Sequence, residues 1–137
     1  MLVAVIDGLG GGIGSQLVSQ LKGVLVPGSE VLALGTNSAA TEAMMKAGAN
    51  RGATGENAIR VMAGQADVIL GPLGIIIPDA MMGEITVTMA EAVVASRAKK
   101  LLLPVAQPHV ELVGMTSQPL GGLIRAAVQR LTEISKE

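Results

Sequence analysis

Short apolar runs alternate along the chain with segments whose apolar residues recur at helical spacing. Such runs are typical of strands buried on both faces of a parallel sheet, and they lie at 2–6, 30–34, 67–70 and 101–105. Weaker strands are expected at 49–53 and 109–113. This alternation predicts a Rossmann-like α/β fold, a doubly wound, mostly parallel sheet of five to six strands with helices on both faces.

The amphipathic segments predict helices, most clearly the first and the last. The helix after the first strand carries an apolar stripe of Ile13, Leu17, Val18 and Leu21. The last helix carries a longer stripe of Leu120, Leu123, Ile124, Ala127, Val128 and Leu131. After the second strand, Asn37 or Ser38 is placed to cap a helix that Gly48 ends.

Threonines mark the expected starts of two further helices. Thr54 is placed to cap a helix that continues through Met62. The next helix is expected to begin at Thr86 or Thr88, and Thr88 with Glu91 fits a capping box. With these helices the strand and helix pattern covers all 137 residues, so a single domain over 1–137 is predicted.

The composition excludes several functions. The chain has no Phe, Trp, Tyr or Cys, and its formal net charge is −1. Because nucleic-acid binders present a basic face, and single-strand binders add aromatic stacking platforms, nucleic acid is not expected as a partner. Without cysteine, and with His109 as the single histidine, no metal site is predicted.

A membrane location is also not expected. The most continuous apolar stretch, at 68–77, contains Gly71, Pro72 and Gly74 and is far shorter than the ~20 residues that span a bilayer. No Lys or Arg precedes Asp7, so the N-terminus lacks the basic region of a signal peptide. A cytoplasmic protein is therefore expected.

The main candidate for chemistry is the loop Asp7-Gly8-Leu9-Gly10-Gly11-Gly12-Ile13-Gly14, which follows a strand and opens a helix. Glycine lets a phosphate approach without meeting a Cβ, while free amides and the helix dipole attract the anion. The predicted phosphate-binding residues are Gly8, Gly10, Gly11, Gly12, Ile13 and Gly14. The alternative is that these glycines only let the helix pack closely against the sheet.

The spacing of Gly8, Gly12 and Gly14 resembles the phosphate loop of short-chain dehydrogenases. The resemblance covers the first strand and helix and the general strand order, and it implies an NAD(P)-type ligand. The catalytic tyrosine of those enzymes is absent, because the chain has no tyrosine, so their mechanism is excluded. The loop also has no lysine and is not a Walker P-loop.

Two further turns are candidate walls of the same crevice. Thr36, Asn37 and Ser38 follow the second strand and are placed to bond a ribose or a 2′-phosphate, or simply to cap the helix. Gly71 and Pro72 end the strand expected beside the first, and either form the far wall of a pocket or a rigid turn.

Ionisable residues leave more than one interpretation open. Asp7 is placed to cap the helix amides, to hold a metal ion, or to face a ribose or base, and capping is favoured. Glu84 or Glu56 is a candidate acid or base, although solvated carboxylates are the usual case. Arg51 reaches a 2′-phosphate only if its loop folds back, and His109 is expected at a strand end. No catalytic residue is assigned.

The chain is similar over nearly its full length to a family of short bacterial proteins known as a domain of unknown function. The similar segments are Val5-Ile6-Asp7-Gly8, Leu34-Gly35-Thr36-Asn37-Ser38, Gly52-Ala53-Thr54-Gly55-Glu56-Asn57-Ala58, Gly71-Pro72-Leu73-Gly74-Ile75, Gly83-Glu84-Ile85-Thr86 and Met89-Ala90-Glu91-Ala92. The resemblance implies a freestanding protein in which the glycine loop, the Asn37 turn and the Gly71 turn form one crevice. It implies no particular activity.

Two functions remain open from the sequence. The first is binding of a nucleotide, NAD(P) or an adenine nucleotide, with its phosphate on Gly8 to Gly14. The alternative is an oligomeric scaffold or regulatory protein that keeps the Rossmann shape without a ligand. Alanine- and methionine-rich helix faces predict a homo-oligomer, a dimer, in either case.

Overall fold

The computed structural model describes residues 1–105, 107 and 109–137 as five parallel strands and five α-helices. The strands are β1 (Leu2–Asp7), β2 (Glu30–Gly35), β3 (Arg51–Thr54), β4 (Val68–Pro72) and β5 (Lys99–Leu103). The helices are α1 (Gly12–Leu21), α2 (Ser38–Ala47), α3 (Glu56–Ala63), α4 (Val87–Ala95) and α5 (Leu120–Ser135). A short 3-10 helix, Leu73–Ile76, follows β4.

The strands form one sheet in the order β3-β2-β1-β4-β5. All four strand pairs are parallel, and β1 pairs with β2 along its whole length, from Leu2 beside Glu30 to Asp7 beside Gly35. The chain moves outward from β1 to β3 and then returns to place β4 on the other side of β1. The strand order therefore reverses between β1 and β4, the place where open α/β sheets bind ligands.

Alternate residues of the central strand face two separate apolar layers. Val3 and Val5 pack in a core with residues of α1, α2 and α5, whereas Ala4 and Ile6 pack in a core with residues of α3 and α4. Successive side chains of a strand point to opposite faces, so an apolar strand requires helices on both. The predicted Rossmann-like α/β fold with helices on both faces is confirmed.

The predicted Thr54 cap is wrong, and of the two predicted starts of the next helix, Thr86 is confirmed and Thr88 is wrong. Thr54 is the last residue of β3, and its hydroxyl lies 2.7 Å from the Thr41 hydroxyl, while Gly55 occupies the cap position of α3. Thr86 caps α4 by accepting a bond from the Met89 amide, so Thr88 lies inside the helix. The capping box of Thr88 with Glu91 does not form, because a capping residue needs the extended backbone that Thr86 adopts.

The second weak strand prediction is also wrong. The described residues of 109–113 belong to no strand, although Val110 forms an isolated antiparallel bridge with Gln107. His109 lies in a turn with a φ of 65°, which is incompatible with a continuing strand, and so it is not a strand-end residue. The first weak prediction, at 49–53, corresponds to the short edge strand β3.

We expect Gly71→Ala to lower the free energy of unfolding by about 1–3 kcal/mol. A Cβ at Gly71 would lie 2.5 Å from the carbonyl oxygen of Ile6, so β1 and β4 would have to separate locally. The matched control is Gly64→Ala, where the φ is −73° and the nearest atom, the Val61 carbonyl oxygen, is 3.5 Å away. Urea unfolding compares the two variants, and equal effects would contradict the close approach of the strands.

Candidate functional site

A cavity of about 690 Å³ opens at the carboxyl ends of β1 and β4, where the strand order reverses. Its walls are mainly apolar and come from the glycine loop, the segment after the 3-10 helix and the segment after β5. The polar side chains that line it are Asp7, Asp79, Gln107 and His109. Its size and its few polar groups match the usual properties of small-molecule sites.

The cavity is lined by every described non-glycine residue that has a left-handed backbone. These residues are Leu9, Asp79, Met81, Met82 and His109, with φ between 51° and 66°. Such conformations cost of order 1–3 kcal/mol each and concentrate at ligand-binding and switch regions. Three of the five lie in the segment 79–82, so the backbone strain is greatest on one wall of the cavity.

Asp7 joins the floor of the cavity to the start of α1. Its Oδ1 accepts a hydrogen bond from the Gly8 amide at 2.8 Å, and its Oδ2 accepts one from the Gly14 amide at 2.7 Å. The carboxylate therefore satisfies one donor in the first turn of α1 and one in the loop before it, both of which would otherwise be buried without a partner. Of the roles considered for Asp7, this is the capping role.

Burial raises the pKa of the Asp7 carboxyl above its ordinary value, because desolvation disfavours the charged form. The amides of Gly14, Gly8 and Ile13 act in the opposite direction, and nearby Glu84 adds to the increase. Desolvation outweighs the amides, so the carboxyl holds its proton more strongly than an exposed aspartate does. A protonated Asp7 is able to donate a hydrogen bond as well as accept one.

Glu84 reaches across from the segment before α4 to the ends of β1 and β2. Its Oε1 accepts hydrogen bonds from the Leu9 amide at 2.9 Å, the Thr36 hydroxyl at 2.5 Å and the Asn37 side-chain amide at 2.8 Å. The Thr36 hydroxyl is the main cause that lowers the pKa of Glu84, and the Leu9 and Asn37 bonds add to it against desolvation. The Glu84 carboxylate therefore connects the segment before α4 with the loops after β1 and β2.

The predicted turn of Thr36, Asn37 and Ser38 lies against the glycine loop. Asn37 caps α2 with its Oδ1 on the Ala40 amide, and its Nδ2 also donates to the Leu9 carbonyl at 2.9 Å. Thr36 donates its amide to the Asp7 carbonyl. Ser38 is the exposed first residue of α2 and makes no side-chain hydrogen bond within the described residues. Thr36 and Asn37 thus join the site, and Ser38 lies at its margin.

The amides of the glycine loop are only partly used by the protein. The Gly8 and Gly14 amides donate to Asp7, the Gly11 amide donates to the Gly8 carbonyl, and Gly11 has a φ of 74°. Within the part of the chain that the structure describes, the amides of Gly10 and Gly12 make no hydrogen bond. Both residues are exposed, and a Cβ added to either would meet no atom within 4 Å.

The remaining predicted residues lie on both sides of the cavity or away from it. Ile13 and Pro72 line it, whereas Gly71 is buried inside β4. Arg51 begins β3 and pairs with Glu30, which begins β2. Both lie at the amino ends of their strands, whereas the glycine loop lies at the carboxyl end of β1. Glu56 is the exposed first residue of α3.

Several lining residues were not predicted from the sequence. Asp79, Gln107 and Val105 enter the cavity from segments far apart along the chain. Only the segment 78–84 carries a signal that could have identified it, because Pro78, Asp79 and Gly83 are typical of tight turns and surround the paired methionines. The link from Glu84 to Thr36 spans 48 positions and has no local signal.

The described residues hold no group of three or more His, Asp or Glu side chains that could bind a metal ion. None of the described helices has the length and apolar character needed to cross a membrane.

A family model, described as Domain of unknown function (DUF3842), matches residues 2–136. The match covers the glycine loop, the Asn37 turn, Glu84 and all the strands and helices. No curated protein and no solved structure matches the chain.

The two carboxyls of the site should affect stability in opposite directions as the pH changes. Because the pKa of Asp7 is raised, the contribution of this carboxyl to the free energy of unfolding is complete below the ordinary aspartate pKa. That contribution is lost as the pH rises through the pKa that Asp7 has in the folded protein. Because the pKa of Glu84 is lowered, the contribution of this carboxyl to the free energy of unfolding is present above the ordinary glutamate pKa. That contribution is lost as the pH falls through the pKa that Glu84 has in the folded protein.

Urea unfolding between about pH 3 and pH 7 tests this prediction. With rising pH, the stability of the wild type relative to Asp7→Asn should fall, and its stability relative to Glu84→Gln should rise. A difference from Asp7→Asn that does not change with pH would contradict the effect of burial on this carboxyl.

Proposed function

Since the chain belongs to the family described as Domain of unknown function (DUF3842), we propose its function from the site itself: it binds a nucleotide of the NAD(P) or adenine class. The phosphate binds the Gly8 to Gly14 loop, and the organic part of the ligand enters the cavity. The observation that carries this proposal is the cavity at the reversal of strand order, bordered by a glycine loop with unpaired amides. Such a ligand would come from the cytoplasm, the location that the sequence predicts.

The proposed phosphate contacts are the amides of Gly10 and Gly12. Asp7 already accepts the bonds of Gly8 and Gly14, so these two amides are not available to a ligand in this arrangement. Gly12 is the first residue of α1, where the helix dipole favours an anion, and Gly10 is two residues before it. Neither residue has a side chain in the path of a phosphate.

The charges of the site favour a ligand with few phosphate charges. No Lys or Arg is among the residues that line the cavity, while Asp7 and Asp79 are. A diphosphate diester, as in NAD, carries fewer negative charges than a triphosphate and depends less on basic side chains. We therefore propose that NAD-like ligands bind more tightly than ATP or GTP.

The apolar walls suit the organic part of such a ligand. Ile13 and Pro72 border the cavity on the β1 and β4 sides, and Met81 and Met82 border it on the strained segment. Methionine side chains adapt to irregular shapes, because they are unbranched and polarisable. Met82 is 94% exposed, so it can cover a bound ligand without first leaving a packed core.

Nucleotide binding should raise the thermal stability of the wild type. A ligand at a hundred times its dissociation constant adds about 2.7 kcal/mol to the free energy of unfolding. The variant Gly12→Asp should abolish the shift, because its carboxylate repels the phosphate while favouring the start of α1. Gly12→Asn adds a side chain of the same shape without the charge and should retain more of the shift.

Thermal melts with NAD, NADP, ATP, GTP and flavins measure these shifts. The absence of a shift with all of them would refute the proposal. Because Gly12→Asp should keep or raise the melting temperature without ligand, loss of its response cannot be ascribed to unfolding.

The second candidate function is the ligand-free oligomeric scaffold, favoured by apolar side chains that stay exposed on α4. Val87 is 61% exposed and Val94 is 56% exposed, and seven positions separate them, so they lie on one side of the helix. A homodimer that buries this side is compatible with nucleotide binding. A scaffold without a ligand would show the dimer and no thermal shift.

We expect light scattering to give the mass of a dimer, and Val94→Glu to give the mass of a monomer, because a charge would be buried in the contact. Gln20→Glu, on the exposed side of α1, adds a charge away from this surface and should leave the mass unchanged. A monomeric wild type would exclude the dimer.

A further inference from the structure

We infer that Glu84 binds the ribose hydroxyls of the nucleotide and selects against a 2′-phosphate on that ribose. The inference rests on the proposed function and specifies which nucleotides the same site accepts. It concerns the ribose nearest the phosphate on Gly10 and Gly12. This ribose would lie beside the cavity, on the β2 side of the glycine loop, because Glu84 bonds Thr36 and Asn37 and is not among the residues that line the cavity. The rest of the organic part enters the cavity.

An acidic side chain at the carboxyl end of the second strand is the usual partner of a ribose in folds of this kind. In this chain β2 ends at Gly35 and is followed by Thr36, Asn37 and Ser38, none of which carries a charge. The tertiary structure places Glu84 at this position instead, 48 residues after Thr36. The required carboxylate is therefore present, but it comes from a different part of the chain.

The hydrogen bonds of Glu84 leave one of its oxygens available. The three bonds from Leu9, Thr36 and Asn37 all go to Oε1. Within the described residues, Oε2 accepts no hydrogen bond, and the side chain is only partly buried. The bonds to Oε1 already fix the orientation of the carboxylate. A hydroxyl that binds Oε2 therefore requires little further loss of side-chain conformational entropy.

The position of Glu84 also agrees with the proposed phosphate site. Glu84 accepts the amide bond of Leu9, the residue directly before Gly10. Adjacent residues are separated by about 3.8 Å between Cα atoms. A 5′-phosphate is joined to the ribose ring through one methylene and one ester oxygen. A ribose beside Glu84 can therefore have its phosphate at the Gly10 amide.

The same contacts argue against a 2′-phosphate. The Thr36 hydroxyl and the Asn37 amide, two donors that could bind such a group, both donate to Glu84. Arg51, the cation considered from the sequence for a 2′-phosphate, lies at the amino end of β3 and pairs with Glu30. A 2′-phosphate would meet a carboxylate without a compensating cation, whereas a 2′-hydroxyl would donate to it.

Isothermal titration of the wild type with three probes tests the inference: AMP, 2′-deoxy-AMP and adenosine 2′,5′-bisphosphate. We expect AMP to bind about ten- to a hundredfold more tightly than 2′-deoxy-AMP, the range for a hydrogen bond to a charged group. The bisphosphate should bind more weakly than AMP. In Glu84→Gln two affinity ratios should fall toward one: that of AMP to 2′-deoxy-AMP, and that of AMP to adenosine 2′,5′-bisphosphate.

Glu91→Gln is the matched control, since Glu91 is an exposed carboxylate on α4 that makes no hydrogen bond within the described residues. It removes the same charge from the protein, and both ratios should stay as in the wild type. The ratios also separate specificity from folding, because a partly unfolded Glu84→Gln would bind all three probes more weakly by the same factor.

The outcomes distinguish the two proposals. If the wild type binds none of the probes and no dinucleotide, both the proposed function and the role of Glu84 are refuted. If AMP binds, but the wild type does not discriminate among the probes or Glu84→Gln discriminates as the wild type does, nucleotide binding stands and the role of Glu84 is refuted.

Discussion

The site depends on the way in which the chain leaves the central strand. β1 is covered on both faces and paired on both edges, and the backbone amides of Gly8 and Gly14 beside its carboxyl end are buried. An unpaired buried amide is costly, and the start of a helix presents several at once. Asp7 resolves this constraint by accepting the amides of Gly8 and Gly14 with its two oxygens. The cost is a buried carboxyl, and its raised pKa reflects that cost.

The arrangement around Asp7 explains why the glycines occur where they do. A Cβ at Gly14 would lie 2.6 Å from the Met44 sulfur and 2.9 Å from the Asp7 Cβ, so this glycine permits α1 to pack against α2. A Cβ at Gly8 would lie 2.7 Å from the Thr36 hydroxyl and 2.9 Å from Glu84 Oε1. Gly10 and Gly12, by contrast, face open space. Close packing therefore accounts for Gly8 and Gly14 and not for Gly10 and Gly12, the two positions of the proposed phosphate contacts.

Glu84 extends the network to the second strand. The segment that carries it follows residues with left-handed backbone, and its three hydrogen bonds hold the segment against the loops after β1 and β2. Strained backbone persists only when surrounding contacts hold it in place, and these bonds are such contacts. The proposed selection of the ribose and the position of the segment that forms one cavity wall thus depend on the same side chain.

The sequence alone determined the elements and their layering. Apolar runs separated by amphipathic segments predicted strands and helices, because a strand buried on both faces is mostly apolar. Thr54 was wrongly predicted as a cap, and the sequence left Thr86 and Thr88 open for the next helix, since a capping residue is selected by its backbone conformation and the residue type permits several positions. The family resemblance also implied that the glycine loop and the Asn37 turn lie together, and the bond from Asn37 to the Leu9 carbonyl joins them.

Only the tertiary structure decided which side chains form the site. The partnership of Glu84 with Thr36 and Asn37 joins residues that no periodicity connects, and the cavity combines segments after β1, β4 and β5. Local patterns report secondary structure, because hydrogen bonds and side-chain spacing within an element are local. Long-range packing determines which loop amides stay unpaired, which groups the carboxylates contact and which residues line the cavity. That packing exists only in the folded chain.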